Sequence, residues 1–139
     1  MKATKTTLSL LSLMLVLATA ACATSAAPAT DASGTLAPVP SDYAGKTDPL
    51  GAAGAGPGAQ VYHNNCESCH GAQGHGDGPA GVALEPPPKN LAELGKPAAD
   101  DYLFWRISTG RPGTAMPPWK GTLSDEQIWQ VIAYIRTLK

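Results

Sequence analysis

The sequence predicts an all-α fold of three to four short helices, and three local patterns carry that prediction. The clearest is the last helix, where Ser124 and Gln127 have the spacing of a capping box. A second helix is predicted over residues 97–109 with Gly110 as its stop, and a first one over residues 57–65. The last helix carries one apolar stripe at helical spacing, made of Ile128, Val131, Ile132, Ile135 and Leu138.

Length and charge limit the classes of protein to which the chain can belong. A chain of 139 residues allows one domain, and its 43% hydrophobic content includes an apolar leader and many alanines. Ten Lys plus Arg stand against eleven Asp plus Glu, so the formal net charge is -1. Because nucleic-acid binding needs a basic surface, we expect no nucleic-acid partner.

The first residues have the three zones of a secretory signal peptide, predicted here over residues 1–21. Lys2 and Lys5 precede an apolar run from Leu8 to Ala18, and small residues follow it. The run is shorter than the about 20 apolar residues that a membrane span needs. We therefore expect an exported protein without a transmembrane helix in its mature form.

Cys22 directly follows this leader, and two interpretations of it stay open. In the first, Ala20-Ala21-Cys22 is a lipoprotein signal and Cys22 becomes an acylated membrane anchor, although Thr19 stands where such signals usually have Leu. In the second, the leader is cut at an ordinary small-x-small site, at Ala18-Thr19-Ala20 or Ala21-Cys22-Ala23. We favour the anchor because an unpaired exported cysteine calls for an explanation.

Residues 22–55 are predicted to be a flexible tether without an activity of its own. They are dense in Ala, Pro, Gly, Ser and Thr and have no sustained apolar period. The few large apolar side chains look isolated in the sequence: Leu36, Val39, Tyr43 and Leu50. The folded domain is therefore expected over residues 56–139.

The pentapeptide Cys66-Glu67-Ser68-Cys69-His70 predicts a covalently attached haem. Cys66 and Cys69 can each add across one haem vinyl group, and His70 is then placed to ligate the iron. A thioredoxin-like redox pair would need a β-α-β context, and no strand pattern surrounds these cysteines. A zinc site would need a second Cys or His pair at suitable spacing, which the chain lacks.

Two segments after the pentapeptide are expected to surround the haem. The glycine loop, residues 71–81, contains glycines that allow positive φ angles and a close approach to a flat ligand. Pro86-Pro87-Pro88 then enforces an extended stretch, with Leu84 and Leu91 as apolar contacts at its ends.

Met116 is the predicted second axial ligand of the iron. It lies in a proline-stiffened loop, residues 110–119, and Pro117 favours an extended backbone at the position before it. Thioether sulfur suits a haem iron that changes oxidation state, and the other methionines, Met1 and Met14, lie in the leader. The rival histidines His63 and His75 are expected to face solvent.

These motifs resemble those of class I monohaem c-type cytochromes: Cys66 to His70, Gly76-Asp77-Gly78-Pro79, residues 110–117 and the closing helix. The resemblance covers residues 56–138 and implies the cytochrome c fold, in which the first and last helices cross. It further implies that Gly58, Tyr62 and Tyr134 lie at that crossing. It implies that the Pro79 carbonyl accepts the second ring N–H of His70.

The resemblance and the two axial ligands predict a one-electron carrier rather than an enzyme, with one haem c as cofactor and with no catalytic residue. Its expected partners are redox proteins, it is expected to be monomeric, and it is expected in the periplasm or anchored to face it. A subunit of a dehydrogenase or reductase complex remains open as an alternative. A haem enzyme or gas sensor with a displaceable Met116 is the third hypothesis. Arg111 and Trp119 are candidates for contacts to the haem propionates.

Overall fold

The computed structural model describes residues 36–139 as a small helical domain. Those residues form five α-helices and no β-strand, with one isolated bridge between Lys120 and Leu123. The helices are α1 (Ala55–Asn65), α2 (Glu67–His70), α3 (Leu91–Leu94), α4 (Asp100–Thr109) and α5 (Asp125–Ile135), with a 3-10 helix at Gly51–Gly54. The predicted all-α class is confirmed, and two of the helices, α2 and α3, are single turns that no sequence pattern had indicated.

Helices α1 and α5 cross at backbone contact, as the family resemblance implied. A Cβ atom on Gly58 would lie 1.9 Å from the backbone oxygen of Gln130, so only glycine allows this approach. One turn further along, the rings of Tyr62 and Tyr134 meet with their centroids 5.1 Å apart. This crossing holds the start and the end of the domain together.

Helix α5 supplies the centre of the core. Its start is the predicted capping box: the Ser124 hydroxyl accepts from the Gln127 amide at 3.2 Å, and the Gln127 side chain accepts from the Ser124 amide at 2.9 Å. The apolar stripe is buried up to Ile135, where the helix ends, and Leu138 packs against the core from the turn beyond it.

Helix α4 begins at Asp100 rather than at the predicted Pro97. The amide of Ala98 still belongs to the preceding turn, where it donates to the Leu94 carbonyl at 3.2 Å, and Ala99 is extended. Residues 97–99 therefore connect α3 to α4 instead of opening the helix. On the buried face of α4, Phe104 stacks on Trp129 of α5 with ring centroids 4.3 Å apart.

The prediction of a flexible tether is wrong for residues 36–55, which lie against the domain. Ala37 is buried, Val39 and Leu50 pack against the core, and the Tyr43 ring lies 6.3 Å from that of Phe104. The amides of Gly45 and Asp48 donate to the carboxylates of Asp101 and Asp100 at 2.9 and 3.0 Å. The apolar side chains that look isolated along the chain find their partners on other elements, so the packed unit begins before residue 56.

The predicted signal peptide, Cys22 and the first part of the predicted tether lie outside the described residues. Within residues 36–139, no helix has the length and the apolar character that a membrane crossing requires.

Candidate haem-binding site

A cavity of about 460 Å³ opens between α2, α4 and the loop that contains Met116. Its wall includes all four residues that the sequence nominates, Cys66, Cys69, His70 and Met116. The rest of the lining is mainly apolar and includes Leu84, Leu91, Leu103, Ile107, Pro86, Pro87 and Pro88. The fold thus brings together residues that are separated by much of the domain's length.

The cysteines reach one wall of the cavity because the chain turns tightly after α1. The amide of Cys66 closes α1 by donating to the Tyr62 carbonyl at 2.8 Å. The Cys66 carbonyl then accepts from the amides of Cys69 and His70 at 3.2 and 2.9 Å. This single turn, α2, presents both sulfurs and the imidazole to the same space.

Burial keeps both the thiol and the imidazole uncharged. Burial, and next the nearby Cys69, raise the pKa of Cys66 to about 12. Burial also lowers the pKa of His70, against the opposing effect of its hydrogen bond to Lys89. A neutral imidazole is the form that binds a metal.

The ring nitrogen Nδ1 of His70 lies 3.1 Å from the backbone carbonyl of Lys89, not that of Pro79. The implied Pro79 contact is therefore wrong. A carbonyl oxygen only accepts, so Nδ1–H donates and Nε2 is the nitrogen left for a metal. The extended run Pro86–Pro88 delivers the Lys89 carbonyl to this position, because it carries the chain along the cavity wall.

The glycine loop does not line the cavity, contrary to the expectation that it wraps the haem. It packs behind α2 instead: Gly78 and Ala80 donate to the carbonyls of Cys69 and Ser68 at 3.2 and 2.8 Å. A Cβ atom on Gly81 would lie 2.2 Å from the Cys69 oxygen. The close approach that glycine allows here is to the backbone of the haem-attachment turn.

Met116 is held in the cavity wall by hydrogen bonds within its own loop. The Arg111 amide donates a hydrogen bond to the Met116 carbonyl at 3.1 Å. The Met116 amide donates to the Thr114 hydroxyl at 3.2 Å. Gly110 has φ +67°, and a Cβ atom there would lie 2.6 Å from the Met116 oxygen. Glycine at the end of α4 therefore lets the loop fold back on itself and set the position of Met116.

Of the predicted polar contacts, Arg111 and Trp119 both line the cavity. Two further cationic residues, Lys89 and Arg106, also line it, and the sequence prediction had missed them. Arg106 lies near the end of α4, and the Met116 loop follows that helix directly. This closeness in the sequence was the signal that could have indicated Arg106 as a residue of the cavity.

The rival histidines lie elsewhere, as expected. The exposed His63 pairs with Glu67 at 2.7 Å, and the exposed His75 lies 3.1 Å from the carbonyl of Lys139. Neither belongs to the cavity wall.

A large part of the chain is matched by a family of known proteins. A family model described as "Cytochrome C oxidase, cbb3-type, subunit III" matches residues 53–135, more than half of the chain. The chain belongs to this cytochrome c family. The packed residues 36–52 of this cytochrome lie before the matched region.

Individual relatives point to the same family. The chain is 33% identical over 78 residues to cytochrome c6 of Parathermosynechococcus lividus, covering 56% of the chain and 83% of that protein. It is 32% identical over 87 residues to the cbb3-type oxidase subunit CcoP of Azospirillum brasilense, covering 63% of the chain but 29% of CcoP. It is also similar to a chain of a reducing HAO-like protein complex of Kuenenia stuttgartiensis, with 25% identity and a TM-score of 0.51. That comparison covers 78% of this chain and 48% of the other.

The cofactor of this cytochrome is one covalently bound haem c with its iron. The residues of the cavity fit that group: two thiols and one neutral imidazole share a wall, and most of the remaining lining is apolar. The predicted cofactor is thus confirmed.

Proposed function

We propose that this cytochrome is a one-electron carrier in which Cys66 and Cys69 attach the haem while His70 and Met116 ligate its iron. The observation that supports it is the convergence of these four side chains on one cavity. Iron with two protein ligands leaves no coordination position for a substrate, so the arrangement favours electron exchange over chemistry on a bound molecule.

The chain contributes orientation and an apolar environment to this reaction. The bond from His70 Nδ1–H to the Lys89 carbonyl orients the imidazole and would leave Nε2 to bind the metal. Bound haem supplies a one-electron couple, whose potential Met ligation and burial both raise because they favour the less charged ferrous state. The loop hydrogen bonds around Thr114 hold the backbone of Met116 at the cavity wall.

The proposed setting is outside the cytoplasm, where a monomeric carrier exchanges electrons with redox proteins. The signal-peptide pattern of residues 1–21 supports export, and acylation of Cys22 would anchor the protein at a membrane. Mass spectrometry of the mature N-terminus would distinguish an acylated Cys22 from ordinary cleavage.

A second candidate function is that of a haem subunit held in an oxidoreductase complex. It is favoured by the match to a family described as an oxidase subunit and by the similarity to CcoP. The two functions differ in whether the protein dissociates from its partner. A carrier is expected to be recovered alone under mild extraction, whereas a subunit is expected to co-purify in fixed proportion with other chains.

The ligand assignment is tested by replacing Met116 with leucine, which has a similar volume but no donor atom. We expect the charge-transfer band between methionine sulfur and ferric iron to be present in the wild type and in His75→Ala, and absent in Met116→Leu. A band that survives in Met116→Leu would refute the assignment. Carbon monoxide binding to the reduced wild type at neutral pH would instead favour a sensor or enzyme with an open iron position.

A further inference from the structure

Leu36 lines the haem cavity, although it precedes the haem-attachment motif by thirty residues. Its side chain is 36% exposed, and within residues 36–139 Val82 is the other large apolar side chain that is exposed. Val82 does not belong to the cavity wall. Contact with an apolar ligand in the cavity would remove apolar surface of Leu36 from water, which is favourable.

The residues directly after Leu36 lie along the surface of the domain in an extended form. Ala37 and Val39 each precede a proline, which favours an extended backbone at both positions. Ala37 is buried and Val39 is half-buried against the core. Pro38 and Pro40 are exposed, so burial alternates along this stretch as it does in an extended chain with one face on a core. The core contacts thus hold the chain where it reaches the cavity.

The following residues are attached to α4. The Tyr43 ring lies 6.3 Å from the ring of Phe104, and the Lys46 ammonium lies 5.6 Å from the centroid of the same ring. The Gly45 amide donates to the Asp101 carboxylate at 2.9 Å. Other side chains of α4 line the cavity, so attachment to this helix places the segment beside the cavity wall.

We infer that Leu36 packs on the haem and that residues 36–48, named here the N-terminal strap, close one side of the haem cavity. The inference rests on the haem c of the proposed carrier. The strap lies before residues 53–135, which are the part of the chain that matches the family model. Leu36 is therefore a wall residue that the matched region does not supply.

The strap has a consequence for the redox potential. A leucine side chain on the haem excludes water from that side, and an environment of low polarity disfavours the more highly charged ferric state. A polar side chain at position 36 is therefore expected to lower the potential.

The first experiment locates Leu36 relative to the haem by NMR of the reduced mature holoprotein with labelled leucine methyl groups. Leu103 lines the cavity and is the positive control, whereas Leu50 packs on the core outside the cavity wall and is the negative control. We expect nuclear Overhauser contacts between haem protons and the methyl groups of Leu36 and Leu103, and none for Leu50. Leu36→Ala assigns the Leu36 signals.

The second experiment compares the midpoint potentials of Leu36→Asn and Val82→Asn. Both variants replace an exposed apolar side chain by a polar one, and Val82 lies off the cavity wall. We expect Leu36→Asn to shift the equilibrium toward ferric haem by about twofold to fivefold, and Val82→Asn to shift it by less than about twofold. Leu36→Ile keeps an apolar side chain of similar volume and should retain the wild-type potential.

Absence of haem contacts at Leu36, with those of Leu103 present, would overturn the inference. So would equal shifts of the potential in Leu36→Asn and Val82→Asn. Failure of the carrier proposal looks different, because the wild type would then lack a reversible one-electron couple while the haem contacts of Leu36 remained. If Met116 does not ligate the iron, the carbon monoxide adduct of the reduced protein provides the low-spin state that the NMR experiment needs.

Discussion

Gly58 of α1 lies directly against the backbone of Gln130 in α5, close enough that a Cβ atom would be 1.9 Å from the carbonyl oxygen. The obstacle is backbone rather than a flexible side chain, so it cannot move aside without shifting a helix. The same crossing carries Tyr62 to its hydrogen bond with the Gly71 carbonyl at 2.7 Å, next to the haem-attachment turn. Tyr62 therefore contacts both the helix crossing and the backbone next to the haem-attachment turn.

Gly58→Ala is predicted to lower the free energy of unfolding by about 1–3 kcal/mol, because overpacking at this contact forces the helices apart. Gly56→Ala is the matched control, since it lies in the same helix with open space around it. That control should be stabilised by up to about 1 kcal/mol through helix propensity. Denaturant unfolding of the holoprotein, followed by haem absorbance, measures both. Equal midpoints for the two variants would contradict the backbone contact.

Tyr62→Phe is predicted to destabilise the protein by about 1 kcal/mol, because the buried Gly71 carbonyl loses the Tyr62 hydroxyl and keeps only the Gly74 amide as a donor. Burial raises the pKa of Tyr62 well above its usual value, so the hydroxyl keeps its proton and donates at all ordinary pH values. Tyr134→Phe serves as the control, since within residues 36–139 the Tyr134 hydroxyl makes no hydrogen bond while its ring contacts Tyr62. A loss of the same size in both variants would show that the hydroxyl bond contributes little.

Asp100→Asn is predicted to destabilise the protein near neutral pH and to lose that effect in acid. Burial alone would raise the pKa of Asp100, but the Asp48 amide and the Arg136 guanidinium outweigh it, so the pKa lies below its ordinary 3.8. A lowered pKa in the folded state stabilises the protein above the unfolded pKa, and this contribution disappears as the pH falls through the folded pKa.

The expected difference between wild type and Asp100→Asn is no more than about 1 kcal/mol, because both side chains of the pair are partly exposed to solvent. Urea unfolding at a series of pH values should show the two curves converging below 3.8. Asp42→Asn, which removes an exposed carboxylate in residues 36–55, is the control for the loss of one negative charge. Curves that stay parallel for Asp100→Asn would contradict the role of its ionised form.

Tyr43→Ala is predicted to loosen the segment before the 3-10 helix, because the segment loses its ring contact with Phe104. We expect a loss of about 1 kcal/mol in stability and faster cleavage between residues 36 and 50 in limited proteolysis. Ser41→Ala should behave like the wild type, since Ser41 is exposed and, within residues 36–139, its hydroxyl contacts only the neighbouring Asp42. Equally fast cleavage in the wild type would restore the prediction of a flexible tether.

The sequence predicts the parts of this protein whose geometry is decided within a few residues. The capping box of Ser124 and the apolar stripe of α5 both follow from residues a few positions apart on one helix. Helix starts are less certain, as α4 shows, because the turn after α3 competes for residues 97–99.

Predictions that depended on distant partners were less successful. The family resemblance implied Pro79 as the acceptor for His70, whereas the extended prolines bring the Lys89 carbonyl there. The glycine loop was expected at the haem and lies behind the haem-attachment turn. In both cases a segment that closely follows His70 in the chain was expected at the haem site. The segment that lies there comes later in the chain and contains Pro86–Pro88 and Lys89.

By itself, therefore, the sequence determined the helical class and the covalent haem motif, since each depends on residue types at short spacing. It also nominated Met116, because the other methionines lie in the predicted leader. Only the tertiary structure decided that residues 36–55 pack on the domain and that Leu36 and Arg106 line the cavity. The physical reason is that burial and pairing are properties of surfaces brought together from separate elements. An apolar or charged side chain acquires its environment only when those elements meet.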